Sequence, residues 1–159
     1  MSRIRFLVMD VDGTLTNGKI YIGNNGEVMK AFSAKDGCGI HDVLPNMGIT
    51  PVIITGRNSR IVENRCAELG ITELYQGIKD KLTTLNNLLE RYHGSYSEVA
   101  YIGDDINDRE CITAVRAGGG IIGCPADAVA EIKALAHFIA PHNGGDGAVR
   151  DFIESLSDR

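Results

Sequence analysis

The run Phe6-Leu7-Val8-Met9 ends in Asp10-Val11-Asp12-Gly13-Thr14, and no other stretch restricts the fold as strongly. Consecutive apolar residues without alternation suit a strand covered on both faces, as in a parallel sheet. Asp10 then stands at the strand's carboxyl end, where open α/β sheets gather their ligands. A carboxylate buried there costs free energy unless a metal or a cation compensates it. Asp12-Gly13 taken alone reads equally well as an ordinary turn. The weight therefore falls on whether later segments supply complementary groups.

They recur in strand–helix alternation. Thr50-Pro51-Val52-Ile53-Ile54 is a buried strand ending in Thr55-Gly56-Arg57, with Ser59 placed to cap a helix that Gly70 stops. Leu74-Tyr75 is a minimal strand, and Asp80-Lys81 leads a helix striped by Leu82, Leu85, Leu88, Leu89 and Tyr92. Val99 to Ile102 is another buried strand, ending in Gly103-Asp104-Asp105-Ile106-Asn107-Asp108. Gly120-Ile121-Ile122 and His137-Phe138-Ile139 read as further strands. Asn143-Gly144-Gly145-Asp146-Gly147 precedes a last amphipathic helix. Asp36 is placed to cap a helix reaching Met47 and stopping at Gly48. The expectation is a doubly wound, Rossmann-like parallel sheet with helices on both faces, as one domain over residues 1–159. Within 19–32, two alternating runs flank Asn25-Gly26, a hairpin inserted after the first strand. Its apolar residues Ile20, Ile22, Val28 and Phe32 need a surface, in this subunit or a neighbour, because a lone hairpin is marginal in water.

Composition narrows the partners. With 159 residues, 43% hydrophobic and a net charge of −5, the chain can bury one core and carries no basic stripe, so nucleic acid is not expected. No apolar run reaches membrane-span length and no signal peptide is evident, so a cytoplasmic protein is expected. Cys38, Cys66, Cys111 and Cys124 are scattered, without zinc or disulfide spacing.

Asp10 and Asp12, Thr55, and Asp104, Asp105 and Asp108 each follow a strand, and Lys81 opens the helix after the short strand. In a parallel sheet all of these meet at one edge. Carboxylates from two strand ends make a hard oxygen site suited to Mg²⁺. A lysine and a hydroxyl can hold phosphoryl oxygens, so the set describes phosphoryl transfer. Asp10 would be the nucleophile, forming an aspartyl-phosphate. Asp12 would protonate the leaving oxygen and then activate water. Taken singly, Thr55 could be a helix-entry residue, Lys81 a solvated charge and Asp108 a helix N-terminal acid.

Together, Asp10-x-Asp12-Gly13-Thr14-Leu15-Thr16, Thr55-Gly56, Lys81 and Gly103-Asp104-Asp105-x-x-Asp108 resemble the four motifs of the haloacid dehalogenase superfamily. The resemblance implies a Mg²⁺ held by Asp10, the backbone carbonyl of Asp12, and Asp104, with Asp105 and Asp108 supporting the metal from behind. It implies that Thr55, Gly56 and Lys81 bind the phosphoryl group. Neither gap between motifs can hold a cap domain, so the chain looks like the capless branch. Lys30-Ala31-Phe32, Arg57, Glu63-x-Arg65-Cys66-Ala67-x-Leu69-Gly70, Tyr75-Gln76-Gly77 and Gly144-Gly145-x-Gly147-Ala148-Val149-Arg150 are similar to the 3-deoxy-D-manno-octulosonate 8-phosphate phosphatase family of lipopolysaccharide biosynthesis. That likeness implies a homotetramer whose hairpins meet centrally, with a neighbouring subunit over each site. It also implies a sugar acid phosphate as substrate, its carboxylate met by Arg57, with Arg65 as a second contact either in its own site or across an interface.

Three alternatives stand beside this reading. One is the same chemistry on a nonulosonate 9-phosphate or another small sugar phosphate, for which the resemblance implies Glu in place of Arg57. Another is a non-catalytic oligomerising module of sialic acid activation, against which the intact Asp10 and Asp12 argue. The third is a signalling receiver, which places its phosphorylated Asp mid-chain.

Overall fold

The register of the sheet explains why distant motifs converge. The structure, a computed structural model, describes residues 3–159. Strand β1 (Phe6–Met9) is followed by a hairpin of β2 (Tyr21–Gly23) and β3 (Gly26–Met29). The remaining strands are β4 (Thr50–Ile54), β5 (Glu73–Tyr75), β6 (Val99–Ile102), β7 (Ile121–Cys124) and β8 (Phe138–Ile139). All but the hairpin form one sheet in the order β5-β4-β1-β6-β7-β8, and each pair is parallel. Met9 sits opposite Ile53 on one side and Ile102 on the other. Asp10, Thr55 and Asp104 therefore leave the sheet within two residues of the same level. The chain winds outward in both directions from β1, so this edge is the switch point at which such sheets form crevices.

Alternate residues of each strand feed opposite faces. Leu7, Met9, Ile53 and Ile102 pack with Val62 and Cys66 of α3 (Arg60–Leu69) and with Val149, Phe152 and Ile153 of α7 (Ala148–Ser157). Phe6, Val8, Val52 and Tyr101 pack with Leu85 and Leu88 of α4 (Lys81–Arg91), Ile112 and Val115 of α5 (Arg109–Ala117), and Ile132 of α6 (Ala130–Leu135). Burying a large apolar side chain of this kind contributes about 1.5–3 kcal/mol. Helices cover both faces, as the doubly wound expectation required. Among the described residues, no helix is long and apolar enough to cross a membrane.

Three local expectations are corrected. The helix expected from Asp36 to Met47 is broken into α1 (Ala34–Cys38), a π-helical turn Gly39–Val43, and α2 (Leu44–Met47). Pro45 lacks an N–H and its ring crowds the preceding turn, which the wider turn relieves. The cap of α1 is Ser33, which accepts from the Asp36 N–H. Asp36 instead accepts from the Arg150 N–H at 2.9 Å, capping α7 from across the fold. In the hairpin, Gly23 pairs with Gly26, so Asn24-Asn25 is the tip and Gly26, at φ +105°, begins β3.

The hairpin's burial is split. Phe32 packs into the core of its own chain. Ile22 and Val28 remain 68% and 61% exposed.

Candidate active site

The loop leaving β1 is held by a tight backbone turn. The N–H groups of Thr14, Leu15 and Thr16 all donate to the Val11 carbonyl, at 2.9–3.1 Å. Gly13 sits at φ +88°, and a Cβ there would come within 1.9 Å of Asp104 Oδ2. Only glycine lets the two strand ends approach so closely. The Thr14 hydroxyl donates to Asp104 Oδ1 at 3.4 Å. The second motif is laced to the β5 exit: the Thr55 N–H donates to the Tyr75 carbonyl, and the Ile78 N–H to the Thr55 carbonyl.

Lys81, at the first turn of α4 where Asp80 caps it, points up beneath this edge. Its Nζ lies 3.1 Å from Asp10 Oδ1 and 2.9 Å from Asp108 Oδ1, and all three side chains are at most 5% exposed. The Tyr101 hydroxyl, within the β6 run, donates to the same Asp108 oxygen at 2.7 Å. One carboxylate oxygen each from Asp10, Asp104 and Asp108 lies within 4.8 Å of the others. Above them opens a cleft of about 420 Å³ lined by Asp10, Asp12, Thr55, Gly56, Arg57 and Asp104, among others.

Three acids facing one ammonium leave the cluster short of positive charge. Burial, with Asp108 second, pushes Asp10 up to about 7 despite Lys81. Burial and then Asp10 and Asp108 push Asp104 up to about 8. Burial alone would lower the Lys81 ammonium, but Asp108 and Asp10 outweigh it and hold it above its ordinary value. Asp108 Oδ2 is buried without a hydrogen-bond partner. Hard oxygen donors, surplus negative charge and an orphaned carboxylate oxygen all fit a small divalent cation.

The comparisons with known proteins agree. A family model described as haloacid dehalogenase-like hydrolase matches residues 70–153. The chain belongs to this family. It is 44% identical over 153 residues to the 3-deoxy-D-manno-octulosonate 8-phosphate phosphatase of Escherichia coli K12, covering 96% of this chain and 79% of that one. The crystal structure of the phosphatase of that name from Yersinia pestis superposes with a TM-score of 0.87 at 43% identity, covering 98% and 83% of the two chains. That from Moraxella catarrhalis, in complex with magnesium ion, phosphate ion and KDO, gives 0.89 at 37% identity, covering 98% and 86%.

Within this haloacid dehalogenase-like hydrolase the expected residues sort cleanly. Asp10, Thr55, Lys81, Asp104 and Asp108 converge, and Gly56 and Arg57 line the same cleft. Asp105 is exposed, accepts from the Ile106 N–H at 2.7 Å as a cap, and adds to the negative charge around Asp104. Asp108, expected behind the metal, stands in the carboxylate cluster itself. Arg65 is not brought to the cleft of its own chain: it pairs with Glu68 at 3.0 Å and lies over the Phe32 ring. Arg150 pairs with Glu154 on the surface of α7.

Sequence reasoning missed two supports. Lys30, just after β3, places Nζ 2.6 Å from Asp12 Oδ1. The glycine loop before α7 braces the turn after β1: the Gly145 N–H donates to the Thr14 carbonyl at 3.1 Å, and a Cβ on Gly144 would fall 1.9 Å from Gly13 O. The signals were the basic residue just after β3 and the paired glycines, but neither names its distant partner.

Proposed function

We propose that the protein hydrolyses 3-deoxy-D-manno-octulosonate 8-phosphate to the free sugar acid and phosphate, as a single Mg²⁺-dependent catalytic domain. The observation that carries the chemistry is the buried Lys81 bridging Asp10 and Asp108 beside Asp104. An Asp10 carboxylate oxygen attacks the phosphorus, and the bond to the sugar oxygen breaks. Asp12, two residues on and half-buried at the cleft, gives that oxygen its proton. Thr55 and the Gly56 backbone hold the phosphoryl oxygens, and Lys81 keeps Asp10 oriented and offsets its charge. Asp12 then takes a proton from the water that attacks the phosphorus, freeing phosphate and restoring Asp10. When bound by Asp10, the Asp12 carbonyl and Asp104, Mg²⁺ neutralises phosphoryl charge.

Arg57 supports a carboxylated sugar, because it is exposed at the cleft and its guanidinium can take a carboxylate in bidentate fashion. The activity for which these relatives are named supports the eight-carbon substrate. The exposed hairpin residues Ile22, Val28 and Met29 support burial against other copies in a homotetramer. Four free cysteines suit a reducing cytoplasm.

A phosphate-release screen over sugar acid phosphates, with Mg²⁺ and with chelator, tests the assignment. Preferred turnover of the octulosonate ester, metal-dependent and absent in Asp10→Asn, is expected. Arg57→Glu should weaken that substrate most. Equal losses on all phosphate esters would remove Arg57 from carboxylate recognition. Metal-independent turnover would overturn the whole reading.

A further inference from the structure

The hairpin reaches into the catalytic centre through Lys30. Its side chain is only 2% exposed, and its Nζ lies 2.6 Å from Asp12 Oδ1 and 2.9 Å from Glu27 Oε1. The other Glu27 oxygen accepts from the Ser59 hydroxyl. Ser59 is itself fixed, capping α3 through the Val62 N–H and donating its own N–H to Gln76 Oε1 at 2.9 Å. A continuous chain of charge-assisted hydrogen bonds thus runs from the start of α3, beside the Thr55-Gly56-Arg57 loop, through the hairpin to Asp12. We propose that Lys30 is the positioning residue for Asp12, clamped by Glu27 and Ser59, so that the hairpin belongs to the acid/base machinery as well as to any assembly contact.

The inference rests on the phosphatase reading and the role it gives Asp12. An Asp side chain on a loop has two free torsions, and Lys30 is the one side-chain partner Asp12 makes among the described residues. Proton delivery to a leaving oxygen needs heavy atoms within hydrogen-bond reach, so a carboxylate free to rotate loses most of its effect. Loss of Lys30 should therefore hurt esters with basic leaving groups and spare those that need no proton.

The test is kcat/KM, which reports the step up to leaving-group departure. It is measured with Mg²⁺ on a series of aryl phosphates from nitrophenyl to unsubstituted phenyl, and on the octulosonate ester. Lys30→Met should lose activity increasingly as the leaving group becomes more basic. About 10–100-fold is expected on the sugar ester, and at least tenfold less on the nitrophenyl ester. Lys30→Arg should restore most of the loss, because its fork can still bridge Asp12 and Glu27. Glu27→Gln keeps the ammonium and loosens the clamp, so it should show the same pattern at smaller size; it carries the test if Lys30→Met fails to fold. Losses equal across the aryl series in either folded variant would overturn the proposal, as would a change in KM for the sugar ester alone. No turnover of any ester by the unaltered enzyme would refute the phosphatase reading and this inference with it.

Discussion

Replacing Lys81 by Met removes one ammonium from between two buried carboxylates while keeping most of the side chain's volume. Lys81 Nζ is 3.1 Å from Asp10 and 2.9 Å from Asp108, and all three side chains are shielded from water. Taking away one partner of a buried pair typically costs about 3–5 kcal/mol, because the other is left charged and desolvated. For a domain of this size each kcal/mol moves the melting temperature by about 2–4 °C. A loss of about 3 kcal/mol thus predicts a drop of about 6–12 °C in chelator at pH 8. The drop should shrink at pH 5. Asp10, already raised to about 7 with Lys81 opposing that rise, then holds its proton and leaves less charge to compensate. Turnover should fall by at least about 10²-fold, the scale of removing one preorganised electrostatic contact. Scanning calorimetry of the metal-free protein at both pH values, with phosphate release on the loaded enzyme, reads these outcomes. A drop under about 2 °C at pH 8, or a larger drop at pH 5 than at pH 8, would refute the charge argument.

Asp10 and Asp104 keep their protons to higher pH when folded, raised to about 7 and about 8. Their contribution to metal-free stability is therefore full below the unfolded value of about 4 and lost as pH rises through 7 and 8. Mg²⁺ should displace those protons; titration calorimetry at pH 7 in buffers of different ionisation heat should show release, and buffer-independent heats would contradict it. Gly144→Ala should cut kcat at least about tenfold, because a Cβ 1.9 Å from Gly13 O must displace the loop that carries Asp12; unchanged kinetics would show that the brace is dispensable. Asp36→Ala removes a cap from α7 at a cost of about 1 kcal/mol, read as a lower melting temperature with activity retained.

What could be read from the residues was what depends on neighbours in sequence. Phe6 to Met9 running into Asp10 marks a strand end wherever it lies, and parallel strands carry their ends to one edge. Asp10, Thr55, Lys81, Asp104 and Asp108 could therefore be placed together before any coordinate. What escaped depends on partners far along the chain. Asp36 looks like a cap for the helix it begins, yet its carboxylate serves Arg150, 114 positions on. Lys30 looks like a hairpin charge until the fold swings it onto Asp12. Arg65, on α3, faces Phe32 and Glu68 instead of the cleft of its own chain, because helical phase, which local residue types define poorly, decides where a long side chain points; a contact across an interface stays open to it. The π-helical turn before Pro45 likewise follows from a clash visible only once the helix is built.

In the proposed mechanism the Asp10 carboxylate itself takes the phosphoryl group. Rapid acid quench during turnover of labelled substrate, followed by borohydride reduction and peptide mass analysis, captures that intermediate. A trapped acyl-phosphate whose reduction leaves homoserine at position 10 is expected. Label found at another residue, or turnover without any trapped phosphoryl enzyme while Asp10→Asn remains active, would contradict it.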